Sequence, residues 1–147
     1  MKFSKTLITT AILGFSLASF HYTAWADTPD QQFQQGFEAI KRDDYQIAFK
    51  LWLPLAEQGY SSAQYNLGVM YQYGRGVKQD DFEGVKWLSK AADQGNASAQ
   101  FVLGMSYLLG KGVQVNKFLA KEWLGKACDN GEQKGCEYYA KLNRGEL

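Results

Sequence analysis

Residues 63–98 read AQYNLGVMYQYGRGVKQDDFEGVKWLSKAADQGNAS, and residues 99–134 read AQFVLGMSYLLGKGVQVNKFLAKEWLGKACDNGEQK. Shifted by 36, the two stretches agree at 15 positions: Ala63, Gln64, Leu67, Gly68, Tyr71, Gly74, Gly76, Val77, Phe82, Trp87, Leu88, Lys90, Ala91, Asp93 and Gly95 each recur. A fixed period between about 20 and 50 residues marks a repeat array, in which each unit buries its apolar face by stacking on the next. The spacing inside the unit decides which secondary structure such an array is built from. Ala63, Leu67, Met70 and Tyr71 fall three and four apart, the stripe of an amphipathic helix. Val85, Leu88, Ala91 and Ala92 make a second stripe that stops at Gly95. The expected fold is therefore all-α, an α-solenoid of antiparallel helix pairs.

The punctuation between the two helices agrees. Gly74-Arg75-Gly76-Val77 puts glycine where a tight turn needs positive φ, and leaves Val77 to fold back under the helix pair. Asp80 is the expected N-cap of the second helix, with Glu83 three residues on as an acidic form of the capping box. Gly68, Gly84, Ala91 and Ala92 are small enough to let neighbouring helices approach closely. The next unit repeats the scheme with Leu103, Gly104, Tyr107, Gly110, Gly112, Val113, Trp123, Leu124 and Ala127.

Upstream lies a shorter, divergent copy. Phe33, Phe37 and Ile40 share one helical face, Asp43-Asp44 mark a turn with a candidate N-cap, and Ala48, Leu51, Trp52, Leu55 and Ala56 share another. That helix is expected to stop at Gly59 and to bend near Pro54, whose ring removes a backbone hydrogen bond. Downstream, Gly135 to Leu142 predicts a last amphipathic helix, with Tyr138, Tyr139 and Leu142 available for packing. The units are thus 27–62, 63–98 and 99–134, with 135–147 as a C-terminal cap of the kind a solenoid needs.

Residues 1–26 read as a secretory signal peptide: Lys2 and Lys5 precede an apolar run from Thr6 to Phe20, and Ala24-Trp25-Ala26 fits the small-residue cleavage pattern. A retained N-terminal anchor helix is the rival reading of that segment, although the run falls short of the roughly 20 residues a bilayer span needs. Cleavage between Ala26 and Asp27 implies a periplasmic or secreted protein with no stable membrane insertion. It also removes His21, the single histidine, and leaves 14 basic against 15 acidic residues. A near-neutral chain without a basic run lacks the electrostatic footprint for nucleic acid. Two cysteines remain, Cys128 and Cys136. An even count in an exported chain favours a disulfide over two free buried thiols, and two cysteines without histidine make no ordinary zinc site. Cys128 stands where the preceding unit has Ala92, and Cys136 where it has Gln100. Two antiparallel helices joined by a short turn can bring such positions together, and the closed loop would stabilise by about 2–3 kcal/mol on the chain-entropy account.

Catalytic constellations are sparse. Without histidine there is no Ser-His or Cys-His pair, and neither S-x-x-K nor G-x-S-x-G occurs. The carboxylates Asp80, Asp81, Glu83 and Asp93 read as caps and solvated surface. Gly74-Arg75-Gly76 has neither the Lys-Ser/Thr of a phosphate loop nor a strand before it. No cofactor or metal is expected, and the chain reads as a non-enzyme.

Ala63-x3-Leu67-Gly68-x2-Tyr71-x2-Gly74-x-Gly76-Val77, followed by Trp87-x2-Lys90-Ala91-Ala92-x-Gln94-Gly95, resembles the Sel1-like repeat, and the copy from Ala99 matches nearly as well. The first unit, without the Gly-x-Gly-Val loop, looks more like a tetratricopeptide repeat. Cysteines eight apart across a repeat boundary resemble the exported, cysteine-rich Sel1 proteins of bacteria. The resemblance implies a right-handed superhelix that binds a protein or peptide on its concave face, lined by the first helix of each unit. Taking Gly36, Gly68 and Gly104 as anchors, that face would carry Phe33, Phe37, Tyr65, Val69, Phe101 and Met105, with Gln72 and Leu108 as further inward positions that vary between units. The competing assignment for these residues is core packing between helices. Two other functions follow from the resemblance: an immunity-type inhibitor of a toxin or phospholipase delivered to the periplasm, and a penicillin- or peptidoglycan-ligand binder with weak β-lactamase-like turnover.

Overall fold

The computed structural model describes residues 27–147, so the expected signal segment, 1–26, lies outside the described residues. Those residues form seven helices and no strand: α1 Pro29–Lys41, α2 Tyr45–Glu57, α3 Ser61–Tyr73, α4 Asp81–Asp93, α5 Ala97–Leu109, α6 Lys117–Asp129 and α7 Gln133–Asn143. Each helix packs chiefly on its neighbours in sequence, the nearest-neighbour arrangement of an α-solenoid. Three antiparallel pairs, α1–α2, α3–α4 and α5–α6, are followed by α7. The first helices α3 and α5 start at Ser61 and Ala97, two residues ahead of the boundaries drawn at Ala63 and Ala99.

Two apolar clusters run along the stack. Ala39, Ala48, Trp52, Leu55, Ala56, Ala63, Leu67 and Met70 join the first unit to the second. Val85, Leu88, Ala91, Ala92, Ala99 and Leu103 join the second to the third. Glycine sets the spacing within a pair. A Cβ on Gly68 would stand 2.6 Å from Leu88 Cγ and 3.0 Å from the Gly84 carbonyl, so α3 and α4 touch almost backbone to backbone. Gly104 meets Leu124 in the same way, at 2.8 Å.

The glycine loops join units rather than merely turn the chain. Gly76 and Gly112 sit at φ of 71° and 72°. A side chain on Gly76 would run into the Tyr45 carbonyl, and one on Gly112 into the Asp81 carbonyl. Each loop therefore seats on the first turn of the preceding unit's second helix, which fixes one unit against the next.

Three local expectations are refined. Asp80 Oδ1 accepts from the Glu83 N–H at 3.0 Å, but the Glu83 carboxylate turns to Lys86 Nζ at 2.6 Å. Asp80 instead donates its own N–H to the Tyr71 carbonyl, so half of the capping box forms. Asp44 occupies the N-cap of α2 without a side-chain cap bond, its carboxylate 3.5 Å from Arg42, while Asp43 takes the turn at φ 61°. Pro54 lies in the last turn of α2, which is assigned as one helix through to Glu57.

Candidate partner-binding groove

The wall formed by α3 and α5 is chemically unusual for exposed helices. Their sequences, SSAQYNLGVMYQY and ASAQFVLGMSYLL, hold no charged residue. Beside their C-terminal halves lies a cavity of about 240 Å³, lined by Gln72, Tyr73, Phe101, Val102, Met105, Ser106, Leu109 and Lys111. Tyr73 and Leu109, 61% and 67% exposed, form its lips.

The floor is polar and already satisfied. Gln72, 2% exposed, donates from Nε2 to Ser106 Oγ at 2.9 Å, and Ser106 donates in turn to the Val102 carbonyl at 2.9 Å. These bonds tie α3 to α5 across the cavity, so Gln72 serves as a bridge between units as well as a lining residue. Lys111 closes one end: its ammonium donates to the Gln72 carbonyl at 3.2 Å, lies 3.7 Å from the Asp81 carboxylate and stands 4.6 Å from the centre of the Tyr73 ring. The Arg75 guanidinium lies 5.7 Å from that ring centre and 5.5 Å from that of Tyr45. Tyr73 is thus held by cations, an arrangement worth about 0.5–1 kcal/mol each where exposed.

Of the eight positions expected along the concave face, the cavity gathers Gln72, Phe101 and Met105. Phe33 and Phe37 sit at the other end of the chain, packed around Trp52 with ring centroids 5.8 Å and 5.2 Å from the indole. Phe33 is half-buried against the first core cluster, and Phe37 is 38% exposed. Tyr65 is half-buried against the second core cluster. Burial pushes its phenol above the ordinary tyrosine value, with the Glu132 carboxylate and Tyr73 adding to the shift. Val69 and Leu108 are half-buried outside the cavity lining. Phe101 makes an edge contact with Tyr138 of α7 at 5.9 Å. Sequence reasoning missed Tyr73, Val102, Ser106, Leu109 and Lys111. Tyr73 and Leu109 were findable, because both are large apolar residues at the last position of a first helix, just before the left-handed glycine cap.

The repeated tryptophans are packing residues. Trp87 lies against the first core cluster and Trp123 against the second, each under the lysine three residues on: Lys90 at 4.3 Å and Lys126 at 4.2 Å from the ring centres. Among the described residues no group of three or more His, Cys, Asp or Glu could hold a metal ion, and no helix is long and apolar enough to cross a membrane.

The Sel1 repeat family matches residues 33–60, 61–96 and 97–132, so its second and third repeats begin where α3 and α5 begin. This chain belongs to the Sel1 repeat family. It is similar to a protective antigen present in uropathogenic Escherichia coli strains displaying an SLR fold, with a TM-score of 0.74 and 34% identity over 80% of this chain and 26% of that one. A Sel1 repeat protein from Oxalobacter formigenes superposes with a TM-score of 0.69 at 34% identity, covering 74% of this chain and 45% of that one. In sequence, 45 residues are 47% identical to DAP3-binding cell death enhancer 1 of Rattus norvegicus, over 31% of this chain and 9% of that protein. The chain therefore spans only a fraction of the length of these relatives. Sel1 repeats are generally non-enzymatic scaffolds that mediate protein interactions, and this chain has that architecture.

Proposed function

We propose that this protein is an exported interaction module that holds an extended segment of a protein partner along the α3–α5 wall. The supporting observation is the conjunction on one surface of two adjacent helices without a charged residue and an apolar cavity between exposed Tyr73 and Leu109. Aromatic and methionine side chains around a floor whose polar groups are already paired suit a partner's apolar side chain. The Cys128–Cys136 disulfide supports a compartment outside the reducing cytoplasm, in keeping with the export signal read in residues 1–26.

A photo-crosslinking residue placed at Met105 tests the reading against one placed at Lys50, on the exposed surface of α2. Position 105 is expected to trap one discrete partner band in the cell envelope, competed by excess wild-type protein, and position 50 none. Equal labelling from both positions, or none from 105, would remove the groove from the account.

A further inference from the structure

The junctions between units are closed by one device used three times, with different chemistry the third time. Gln64, at the start of α3, donates from Nε2 to the Ala56 carbonyl of α2 at 3.0 Å, and its Oε1 accepts from Gln94 at the end of α4 at 2.7 Å. One unit on, Gln100 donates to the Ala92 carbonyl at 3.0 Å and accepts from Asn130 Nδ2 at 2.8 Å. Each glutamine reaches back eight residues and is 3–5% exposed. The next position in the series is Cys136, which again reaches back eight residues, to Cys128, with Cα atoms 4.5 Å apart. Ala56, Ala92 and Cys128 are equivalent, as are Gln64, Gln100 and Cys136.

The third junction has the disulfide in place of that polar clamp, and α7 packs on α6 as closely as α3 does on α2 and α5 on α4. α7 starts at Gln133, 36 residues after α5, so it occupies the place of another first helix. α5 lies between α4 and α6 and buries Ala99, Gln100, Leu103, Gly104 and Ser106, whereas α7, which among the described residues packs chiefly on α6, buries only Gly135. Gly135 sits tightly on α6, where a Cβ would stand 2.8 Å from that of Ala127. Tyr138 and Tyr139 lie half-exposed against Phe101 and Gly125. A reduced Cys136 cannot rebuild the clamp, because its thiol ends two atoms short of a glutamine amide and S–H is a weak donor.

We propose that the disulfide is a redox-controlled pin for α7: oxidised it replaces the glutamine clamp, and reduced it lets α7 leave α6 while the first three pairs stay folded. Both cysteines are half-buried, and the reductant the switch requires is a small dithiol. That reductant supplies two electrons and two protons, the S–S bond becomes two thiols, and the dithiol closes to its own disulfide. Release of α7 removes Tyr138 from Phe101, a lining residue of the cavity.

Amide hydrogen exchange on the intact protein, with and without dithiothreitol, reads the helices separately. Reduction is expected to speed exchange across α7 at least about tenfold and to leave α3 and α5 within about twofold, as local opening does. The double variant Cys128→Ala, Cys136→Gln restores the clamp of the other junctions, and its α7 should exchange slowly whether or not reductant is present. Unchanged α7 exchange in the reduced wild type would overturn the proposal. So would equal loosening of α3, α5 and α7, which would make the bond a brace of the whole fold rather than a local pin.

Discussion

The first and third units solve the same packing problem with opposite materials. In the third, Gly104 and Leu124 stand 20 residues apart, and a seven-residue loop carrying two left-handed glycines links the helices. In the first, Gly36 and Trp52 stand 16 apart and residues 42–44 make the whole link, with Asp43 taking the positive φ. The shorter link leaves the pair without a Gly-x-Gly-Val loop. A large indole takes the place of leucine: Trp52 is 3% exposed, carries Phe33 and Phe37 on its ring and donates from Nε1 to the Phe33 carbonyl at 3.0 Å. The comparison teaches that aromatic area, not sequence identity, keeps the divergent unit in the array. At the equivalent groove-type positions the first unit sets Phe33 and Phe37 on that indole, and the third sets Phe101 and Met105 along the cavity.

The sharpest way to break that contrast is Trp52→Ala. It removes the anchor of an entire helix and should lower unfolding free energy by about 3–5 kcal/mol in a urea titration, with α1 losing exchange protection first. Gln100→Ala comes next: it removes the bonds to the Ala92 carbonyl, which keeps the Gly95 N–H, and from Asn130, and an expected loss of about 1–2 kcal/mol would appear in the same titration. Phe101→Ala should cost about 0.5–1.5 kcal/mol, the scale of one aromatic pair, whereas Phe33→Ala should cost several times more. Equal losses at the two sites would mean that Phe101 is core and not groove. The smallest effect has the opposite sign. Asp43→Gly relieves a non-glycine residue at φ 61° and should raise stability by under about 1 kcal/mol, read as a small upward shift in Tm.

Most of the fold was legible because it is periodic and local. The stripes Ala63-Leu67-Met70 and Val85-Leu88-Ala91 are buried as their spacing implies, and Gly74 and Gly110 end their helices in the left-handed conformation. The pairing of Cys128 with Cys136 was legible for the same reason, since a turn between adjacent helices leaves few other geometries. The groove was less so. Helical spacing gives the face on which Tyr65 lies but not how far the neighbouring unit covers it, and here the second core cluster takes it. Gln72 reads as a variable, inward-facing position on the concave face, but Ser106 meets it 34 residues on, from α5. No pattern along either helix encodes that meeting.

The amino-acid sequence by itself determined the repeat, the helix pairs, their glycine turns and the place of the covalent link, because each depends on residues within one unit or across one short turn. Tertiary structure alone decided which aromatics remain free, how Gly76 and Gly112 seat on the unit before them, and that Cys136 stands in for a glutamine clamp. Those outcomes depend on the distance and rotation between successive units, set by close contacts at Gly68 and Gly104 and by the indole of Trp52, and that geometry is a property of the packed stack.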